Sequence, residues 1–218
     1  MSAFPGSPKV LRGGIVLLDP DRFTVLPNGI IVLQYNPDTL TRSLKIKGAD
    51  EGGDRSEALR LTGPPVETFK LDAEIDATDQ LEVGDANTLQ YGIFPQLSAL
   101  ETLVYPASQT LQRNFGLAQQ GTLEIMPMLA PLTLFVWSVS RIVPVRLTEF
   151  SITEEAFDPS LNPLRAKVSL GMRVLSIDDL EFNDKSGSLY LTYQQQKETL
   201  ARLNQAGTFG ALGLRGIP

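Results

Sequence analysis

The sequence contains no cysteine and no histidine among its 218 residues, and only one tryptophan. Without cysteine, the chain can form neither disulfides nor thiolate metal sites, which fits synthesis in a reducing cytoplasm. Without histidine, it lacks the commonest general base and almost every kind of zinc site. Enzymatic chemistry is therefore restricted mainly to carboxylate, lysine, serine and tyrosine groups.

Long apolar runs and nucleotide-binding motifs are also missing. No run approaches the roughly 20 apolar residues that span a bilayer. The N-terminal "MSAFPGSPKVLRGG" has no apolar core of signal-peptide length, so we expect no export by that route. No GxGxxG or GxxxxGK[ST] segment is present to hold a phosphate. A net charge of −6 argues against general nucleic-acid binding. The sequence thus predicts no cofactor, no metal, no nucleic acid and no membrane insertion.

The segment "ETFKLDAEIDATDQ", residues 67–80, alternates between apolar and charged side chains. The apolar set is Phe69, Leu71, Ala73 and Ile75, and the charged set is Lys70, Asp72, Glu74 and Asp76. Because successive side chains of a strand point to opposite faces, this pattern predicts a long strand with one dry and one wet face.

Two later segments alternate in the same way and predict a long β-hairpin. They are "RIVPVRLTEFSITEEAFD" (residues 141–158) and "NPLRAKVSLGMRVL" (residues 162–175), joined by the turn-rich "DPSLNP". The polar face of the second segment carries a basic row: Arg165, Lys167 and Arg173. In the first segment the apolar phase slips by one residue near Thr148 and Glu149, which predicts a β-bulge.

The remaining strands predict a mainly β, antiparallel fold class. Short β-branched or apolar runs predict strands at residues 13–19, 29–37, 40–48 and 132–138. The last run holds Trp137, which we expect in the core. "DPDR" and "LPNG" between the first two runs have the composition of turns. Strands of about 12 to 17 residues would be roughly 40 Å or longer, and sheet edges of that length favour coverage by partner subunits.

Two helices are predicted. The first begins near Pro95, is ended by Pro106, and carries one apolar stripe: Leu97, Leu100, Leu103 and Val104. The second, at residues 187–205, carries another stripe: Leu189, Tyr193, Leu200 and Leu203. Residues 107–131 are interpreted as a loop with a short helical turn. Three further segments are expected to lie outside the core: residues 1–12, 48–60 and 206–218.

The acidic and basic rows admit several interpretations. Asp72, Glu74 and Asp76 are spaced by about 7 Å along the strand, within the carboxylate separations of about 5 to 9.5 Å used in glycoside hydrolysis. A general acid would also need an apolar pocket, whereas Lys70 and a continuous polar face favour a hydrated wall. A carboxylate hydrolase on a β-sandwich is thus the first alternative. A stand-alone ligand-binding β-domain is a third interpretation, for which the sequence shows no aromatic platform or pocket-forming cluster. The basic row either pairs across strands with the acidic row, lines a channel or contacts a partner subunit.

A second acidic run could be taken for a calcium loop. It comprises Asp76, Asp79, Glu82 and Asp85. The run lacks the D-x-[DN]-x-[DN]-G spacing of an EF-hand, so a solvated loop is favoured over a metal site.

Four strings together resemble the tube-protein family of contractile injection systems. They are "LQYNPDTLTRSLKIKG", "GPPVETFKLDAEIDATDQLE", "GIFPQLSALETLVYP" and "LTLFVWSVSRIVPVRLTEFSITEEAFDPSLNPLRAKVSLGMRVL". The resemblance covers roughly residues 30–175 and is strongest to the baseplate adaptor that joins the inner tube to the spike. None of the strings is a catalytic motif.

The resemblance implies a phage-tail-tube fold, a β-sandwich or barrel with a flanking helix, over residues 1–185. A C-terminal helix and a Gly-rich tail would follow over residues 186–218. Six copies would form a ring whose long hairpins join into one β-barrel around a lumen. The charged set of residues 70–76 and the basic row would line the lumen or its rim.

The resemblance also implies a structural, non-enzymatic component. Its partners would be a homo-hexamer, the inner tube protein, the spike or hub protein and other baseplate proteins. Assembly would take place in the cytoplasm, and both release of the particle and action inside the cell are compatible with the sequence. The family adaptor commonly carries a LysM domain after the tube-like part. None is evident here, which leaves the adaptor, a tube initiator and a second tube-like ring open.

Overall fold

A computed structural model of the chain describes residues 10–48, 60–121, 130–180, 185–204, 207 and 209–217. Within these residues, seven strands form one antiparallel sheet in the order β2-β1-β5-β6-β7-β4-β3. The strands are β1 (Gly14–Leu18), β2 (Val25–Val32), β3 (Leu40–Lys45), β4 (Val66–Asp76), β5 (Leu132–Ser138), β6 (Arg141–Phe157) and β7 (Pro163–Val174). The predicted mainly β, antiparallel fold is confirmed.

Five α-helices accompany the sheet in the described residues. They are α1 (Thr78–Glu82), α2 (Ala86–Tyr91), α3 (Phe94–Glu101), α4 (Ser108–Gln119) and α5 (Lys185–Leu203), with a short 3-10 helix at Phe209–Leu212. The predicted flanking helix is α3, which has Pro95 in its first turn, buries Leu97 and Leu100, and ends before Pro106. None of the described helices combines the length and the apolar character that a bilayer span requires.

The three long strands have the predicted two-faced pattern. β4, β6 and β7 have 11, 17 and 12 residues. In β4, Phe69 and Ala73 are 0% and 2% exposed, while Lys70 and Asp72 between them are exposed. The register between β6 and β7 shifts between Leu147 and Glu149, so the predicted bulge is confirmed. We call the face that carries Phe69 the inner face and the opposite one the outer face.

The inner face of the sheet holds the main core. The Phe69 ring lies 5.5 Å from that of Phe135, centroid to centroid, and the half-buried Trp137 packs against the same cluster. Helices α3 and α5 cover this face with Leu97, Leu100, Tyr190 and Tyr193. Each fully buried apolar side chain contributes about 1.5 to 3 kcal/mol to folding, so the inner face supplies most of the stability.

The sheet curls, but it does not close on itself. The Gln34 side chain, just after β2, donates to the Asp76 carbonyl at 2.7 Å and accepts from the Asp76 N–H at 3.0 Å. These bonds join the end of β2 to the end of β4 through a side chain, and not through strand pairing. Among the described strands, β2 pairs only with β1 and β3 only with β4, so both are edge strands.

The predicted turn at "LPNG" is wrong. These residues lie within β2, where Asn28 has a φ of 56° and the register opposite β1 shifts between Val16 and Leu18. An edge strand accommodates such a bulge, because only one of its sides is paired. The turn at "DPDR" is confirmed, since the Asp19 side chain accepts from the backbone N–H of both Asp21 and Arg22.

Two helix predictions also need correction. Residues 107–131 contain the 12-residue helix α4, which is longer than the short turn expected, although residues 122–129 lie outside the described part. In α5, the predicted stripe is correct at Tyr193, which is 2% exposed, and at Leu189, which packs on a buried cluster, but Leu200 and Leu203 are 53% and 74% exposed. Most of the segments at 1–12 and 48–60 also lies outside the described residues.

Candidate functional site

A charged surface occupies the outer face of β4, β7 and the distal half of β6. Antiparallel pairing sets Glu74 opposite Lys167 and Asp76 opposite Arg165, with Glu155 of β6 next to Arg165. Residues that pair directly across antiparallel strands share a face. The charged surface comprises Lys70, Asp72, Glu74, Asp76, Glu149, Glu155, Arg165, Lys167 and Arg173. The seven residues predicted from the sequence therefore lie on one face.

Ion pairs between strands neutralise much of this surface. The Arg165 Nε lies 2.7 Å from the Asp76 Oδ2, and the Lys167 Nζ lies 3.5 Å from the Glu155 Oε1. Asp72 accepts a hydrogen bond from the hydroxyl of Ser169, the residue opposite it. The sequence left three interpretations of the basic row open, and Arg165 follows the first of them, because it pairs across strands with Asp76 of the acidic row. Each exposed pair contributes about 0 to 1 kcal/mol, so the pairs balance charge more than they stabilise the fold.

Gly171 allows one ion pair to cross an entire strand. The Lys70 Nζ on β4 reaches the Glu149 Oε2 on β6 at 2.7 Å, although β7 lies between the two strands. Gly171 is the β7 residue opposite both, and a Cβ added there would lie 2.8 Å from the Glu149 Cβ. The hydrogen bond to Glu149 raises the pKa of Lys70. The absence of a side chain at residue 171 thus opens the path for this pair.

Hydrogen bonds also favour the ionised form of the Asp76 carboxyl group. The Thr78 hydroxyl donates to this carboxylate and is the main cause that lowers its pKa; partial burial opposes the shift, and the Thr78 N–H and Arg165 reinforce it. The hydrogen bond to Asp76 in turn raises the pKa of Arg165. Arg173 stands apart from these contacts, because its guanidinium pairs with Asp179 in the turn after β7.

The charged surface does not have the features of a hydrolytic site. Asp72 and Glu74 are exposed, and neither lies in an apolar pocket that would hold a general acid protonated. In the second acidic run, Asp85 is the N-cap of α2 and accepts from the Thr88 N–H at 2.8 Å, which lowers the pKa of Asp85. Within the described ranges, no three acidic side chains converge as a metal ion would require.

An apolar surface occupies the other half of the same outer face. Pairing aligns Val32, Gly14, Val136 and Ile142 in one row across β2, β1, β5 and β6, and Ile30 pairs with Val16 in the next. The apolar surface comprises Val25, Ile30, Val32, Val136 and Ile142. Val25, Ile30, Val32 and Ile142 are 48%, 62%, 56% and 37% exposed. The sequence analysis did not identify this surface, although the β-branched runs on alternating positions of residues 25–32 carry the signal.

The buried carboxylate of Glu67 is a second feature that sequence reasoning missed. Glu67 is 2% exposed and accepts from the Tyr193 hydroxyl at 2.7 Å and from the Lys197 Nζ at 3.1 Å, both on α5. The Arg42 Nε on β3 lies 3.7 Å away. Burial, followed by the hydrogen bond to Glu67, raises the pKa of Tyr193. Glu67 occupies the dry phase of the 67–80 segment, and that position was the available signal.

The similarity of this chain to known proteins is low. No family model matches the chain, and no curated protein matches it. A chain in the virion of a native gene transfer agent particle is 11% identical with a TM-score of 0.27, over 75% of this chain and 91% of that chain. A chain in the tail of an empty gene transfer agent particle, computed with C6 symmetry, is 13% identical with a TM-score of 0.29, over 75% and 90%. TM-scores this low carry no argument about function.

Proposed function

We propose that this chain is a ring-forming structural subunit of a contractile injection system, in which six copies connect the inner tube to the spike hub. The observation that carries the proposal is a long, two-faced sheet that the described residues leave unpaired along part of strand β4. The kind of particle and the position of the ring in it are inferred from the resemblance of residues 30–175 to the family adaptor.

The incompleteness lies at the edge of β4. Strand β3 pairs with β4 only from Val66 to Leu71, although β4 continues to Asp76. Residues 72–75 therefore have no strand neighbour on that side among the described residues, and Gln34 takes up the backbone groups of Asp76. An unpaired edge of a long strand is a template for strand addition from another chain. Closure of such edges around a ring removes them.

The charged surface is the proposed lining of the lumen or of its rim. Its four basic and five acidic side chains nearly cancel, and six of them are held in three ion pairs within the surface: Lys70–Glu149, Arg165–Asp76 and Lys167–Glu155. A wall of compensated, hydrated charge exerts a weak net field on whatever passes along it. Residues 1–185 would form the ring, and residues 186–218 would form the C-terminal helix and Gly-rich tail attached to it.

Electron-microscopic imaging of the purified chain tests the ring. We expect class averages with sixfold symmetry and an open centre. A monodisperse monomer at all protein concentrations would overturn the proposal. Hydrolysis of a glycoside substrate by the wild type, lost in a Glu74→Gln variant, would also overturn it and favour the alternative hydrolase.

Cysteine labelling tests which face lines the lumen. Since the chain has no cysteine, Glu74→Cys introduces a single thiol. After assembly we expect this thiol to react with a small maleimide and to be protected from one attached to a polymer wider than the lumen. The same variant before assembly, which should react with both reagents, is the control. Equal labelling by both reagents in the ring would place the charged surface outside.

A further inference from the structure

We propose that the buried carboxylate of Glu67 is the docking point that holds α5 in place, and that α5 can leave the sheet there as one unit while the sheet stays folded. The inference goes beyond the proposed function and does not depend on it, because it concerns a single subunit.

The first argument is the position of the carboxylate. Glu67 lies in β4 on the same face as Phe69 and Leu71, and it is buried as they are. A carboxylate removed from water destabilises a fold unless other groups pair with it. An apolar side chain would fill this position without that cost. Glu67 therefore indicates a specific contact at this point of the sheet and not general apolar burial.

The second argument is that α5 supplies both hydrogen bonds that the carboxylate accepts from described residues. The Tyr193 hydroxyl donates to the Glu67 Oε1 at 2.7 Å, and the Lys197 Nζ donates to the Oε2 at 3.1 Å. The two donors are one helical turn apart, and the Lys197 Nζ lies 4.1 Å from the centroid of the Tyr193 ring. Burial and the hydrogen bond to Glu67 raise the pKa of Tyr193, so its hydroxyl stays a donor. The contact thus fixes one turn of α5 on one residue of β4.

The third argument is that the charges are compensated when the helix leaves. The Arg42 Nε lies 3.7 Å from the Glu67 Oε1, and it belongs to β3, which stays paired with β4. Water would replace the two donors of α5, and the Lys197 side chain is already 35% exposed. A buried ion pair contributes little net stability, because its charges regain their hydration when they separate. The contact therefore sets the position of α5 accurately but holds it with a modest free energy.

The remaining contacts of α5 are concentrated in its first half. Leu189 packs on a small buried cluster, and Tyr190 joins the inner core. After Tyr193, no described residue of the helix is buried, and Leu200 is 53% exposed. No described residue that follows α5 belongs to the sheet. Release of α5 therefore breaks no strand pairing, and an element of this kind can open as a separate cooperative unit.

Native-state hydrogen exchange, followed by mass spectrometry, tests the release. In the wild type we expect the protection factors of the α5 amides to be at least about tenfold lower than those of the β7 amides, because α5 opens without the sheet. Equal protection of α5 and β7 would overturn the inference, since helix and sheet would then open together.

Glu67→Gln tests the docking point. The variant keeps the size of the side chain and removes its charge, so we expect the protection of α5 to fall by about tenfold, because hydrogen bonds to charged groups are among the strong ones. Glu149→Gln is the matched control. It removes an exposed pair that is kept when α5 leaves, so α5 protection should change by less than about twofold. Unchanged α5 protection in Glu67→Gln would mean that the helix opens without breaking this contact, and the inference would fail.

Lys197→Met gives a second readout, at a partly exposed side chain whose replacement the fold tolerates more easily than that of Glu67. We expect it alone to lower α5 protection by about threefold or more, because the same charged contact is lost. Combined with Glu67→Gln, it should lower protection by less than the product of the two single effects, because one contact can be lost only once. Unchanged protection in Lys197→Met, or effects that multiply in the double variant, would overturn the inference.

Discussion

The charged surface and the apolar surface share one face of one sheet, yet they differ in how far a single chain completes them. β6 passes through both, with Ile142 in the apolar surface and Glu149 and Glu155 in the charged one. On the charged side, water and ion pairs between strands satisfy the exposed groups. On the apolar side, Ile30 and Val32 are more than half exposed, and no described residue covers them.

The two surfaces differ in how much free energy they can contribute to binding another molecule. Full burial of an apolar side chain of the size of Ile30 contributes about 1.5 to 3 kcal/mol, so the apolar surface can drive association. Exposed ion pairs contribute about 0 to 1 kcal/mol each, so the charged surface adds little driving force. Burial of the apolar surface against another molecule would therefore be favourable, whereas the charged surface gains little by leaving water.

The largest expected effect on stability is at Phe69, in the core on the opposite side of the sheet from the charged surface. Phe69 is 0% exposed, packs against Phe135 and sits opposite Met172. Phe69→Ala should lower the free energy of unfolding by about 3 to 5 kcal/mol, because it opens a cavity in the inner core. Urea denaturation of the monomer measures this.

Ile30→Ala is the matched control for Phe69→Ala on the apolar surface. It should change monomer stability by no more than about 0.5 kcal/mol, since the side chain is 62% exposed. A loss comparable to that of Phe69→Ala would mean that the chain itself covers the apolar surface, and the contrast between the two surfaces would fail.

An intermediate effect is expected at the strand crossed by the Lys70–Glu149 pair. In Gly171→Ala the new methyl group would lie 2.8 Å from the Glu149 Cβ, so strands β6 and β7 must shift. The cost should be about 1 to 3 kcal/mol, as for overpacking of a filled site. Gly116→Ala in α4, where a Cβ meets nothing within 4 Å, should instead stabilise by about 0.5 to 1 kcal/mol. A neutral Gly171→Ala would show that Lys70 reaches Glu149 by another route.

The sequence predicts the long strands well, because their pattern is local. Alternation with a period of two places Phe69 and Leu71 inside and Lys70 outside whatever the neighbouring strand is, and the phase slip at Thr148 marks the bulge directly. The charged surface is for this reason the part of the candidate site that could be predicted. The ion pairs in it required the register, which no single segment contains.

Other features depend on contacts distant in sequence. The buried side of α5 is set by Tyr193 and Lys197, which reach Glu67 across 126 and 130 residues. The predicted stripe therefore holds at Tyr193 and fails at Leu200 and Leu203, which are exposed. In β2, the Asn28–Gly29 pair has the composition of a turn, but pairing with β1 turns it into a bulge. Helix α4 buries none of its residues in the described part of the chain, and a helix without a core to bury gives a weak sequence signal.

The smallest expected effect is the contribution of Asp76 to the acid sensitivity of the charged surface. Its folded pKa is below the ordinary value of 3.8, so the ionised carboxylate stabilises the fold above that pH. This stabilisation is lost as the pH falls through 3.8 and then through the lower folded pKa. Asp76→Asn should therefore be less stable near neutral pH and should lose stability less steeply on acidification, as urea denaturation at several pH values measures. Identical slopes in Asp76→Asn and the wild type would mean that the hydrogen bonds from Thr78 and Arg165 do not hold the carboxylate in its ionised form. The Arg165–Asp76 ion pair would then contribute nothing measurable to stability.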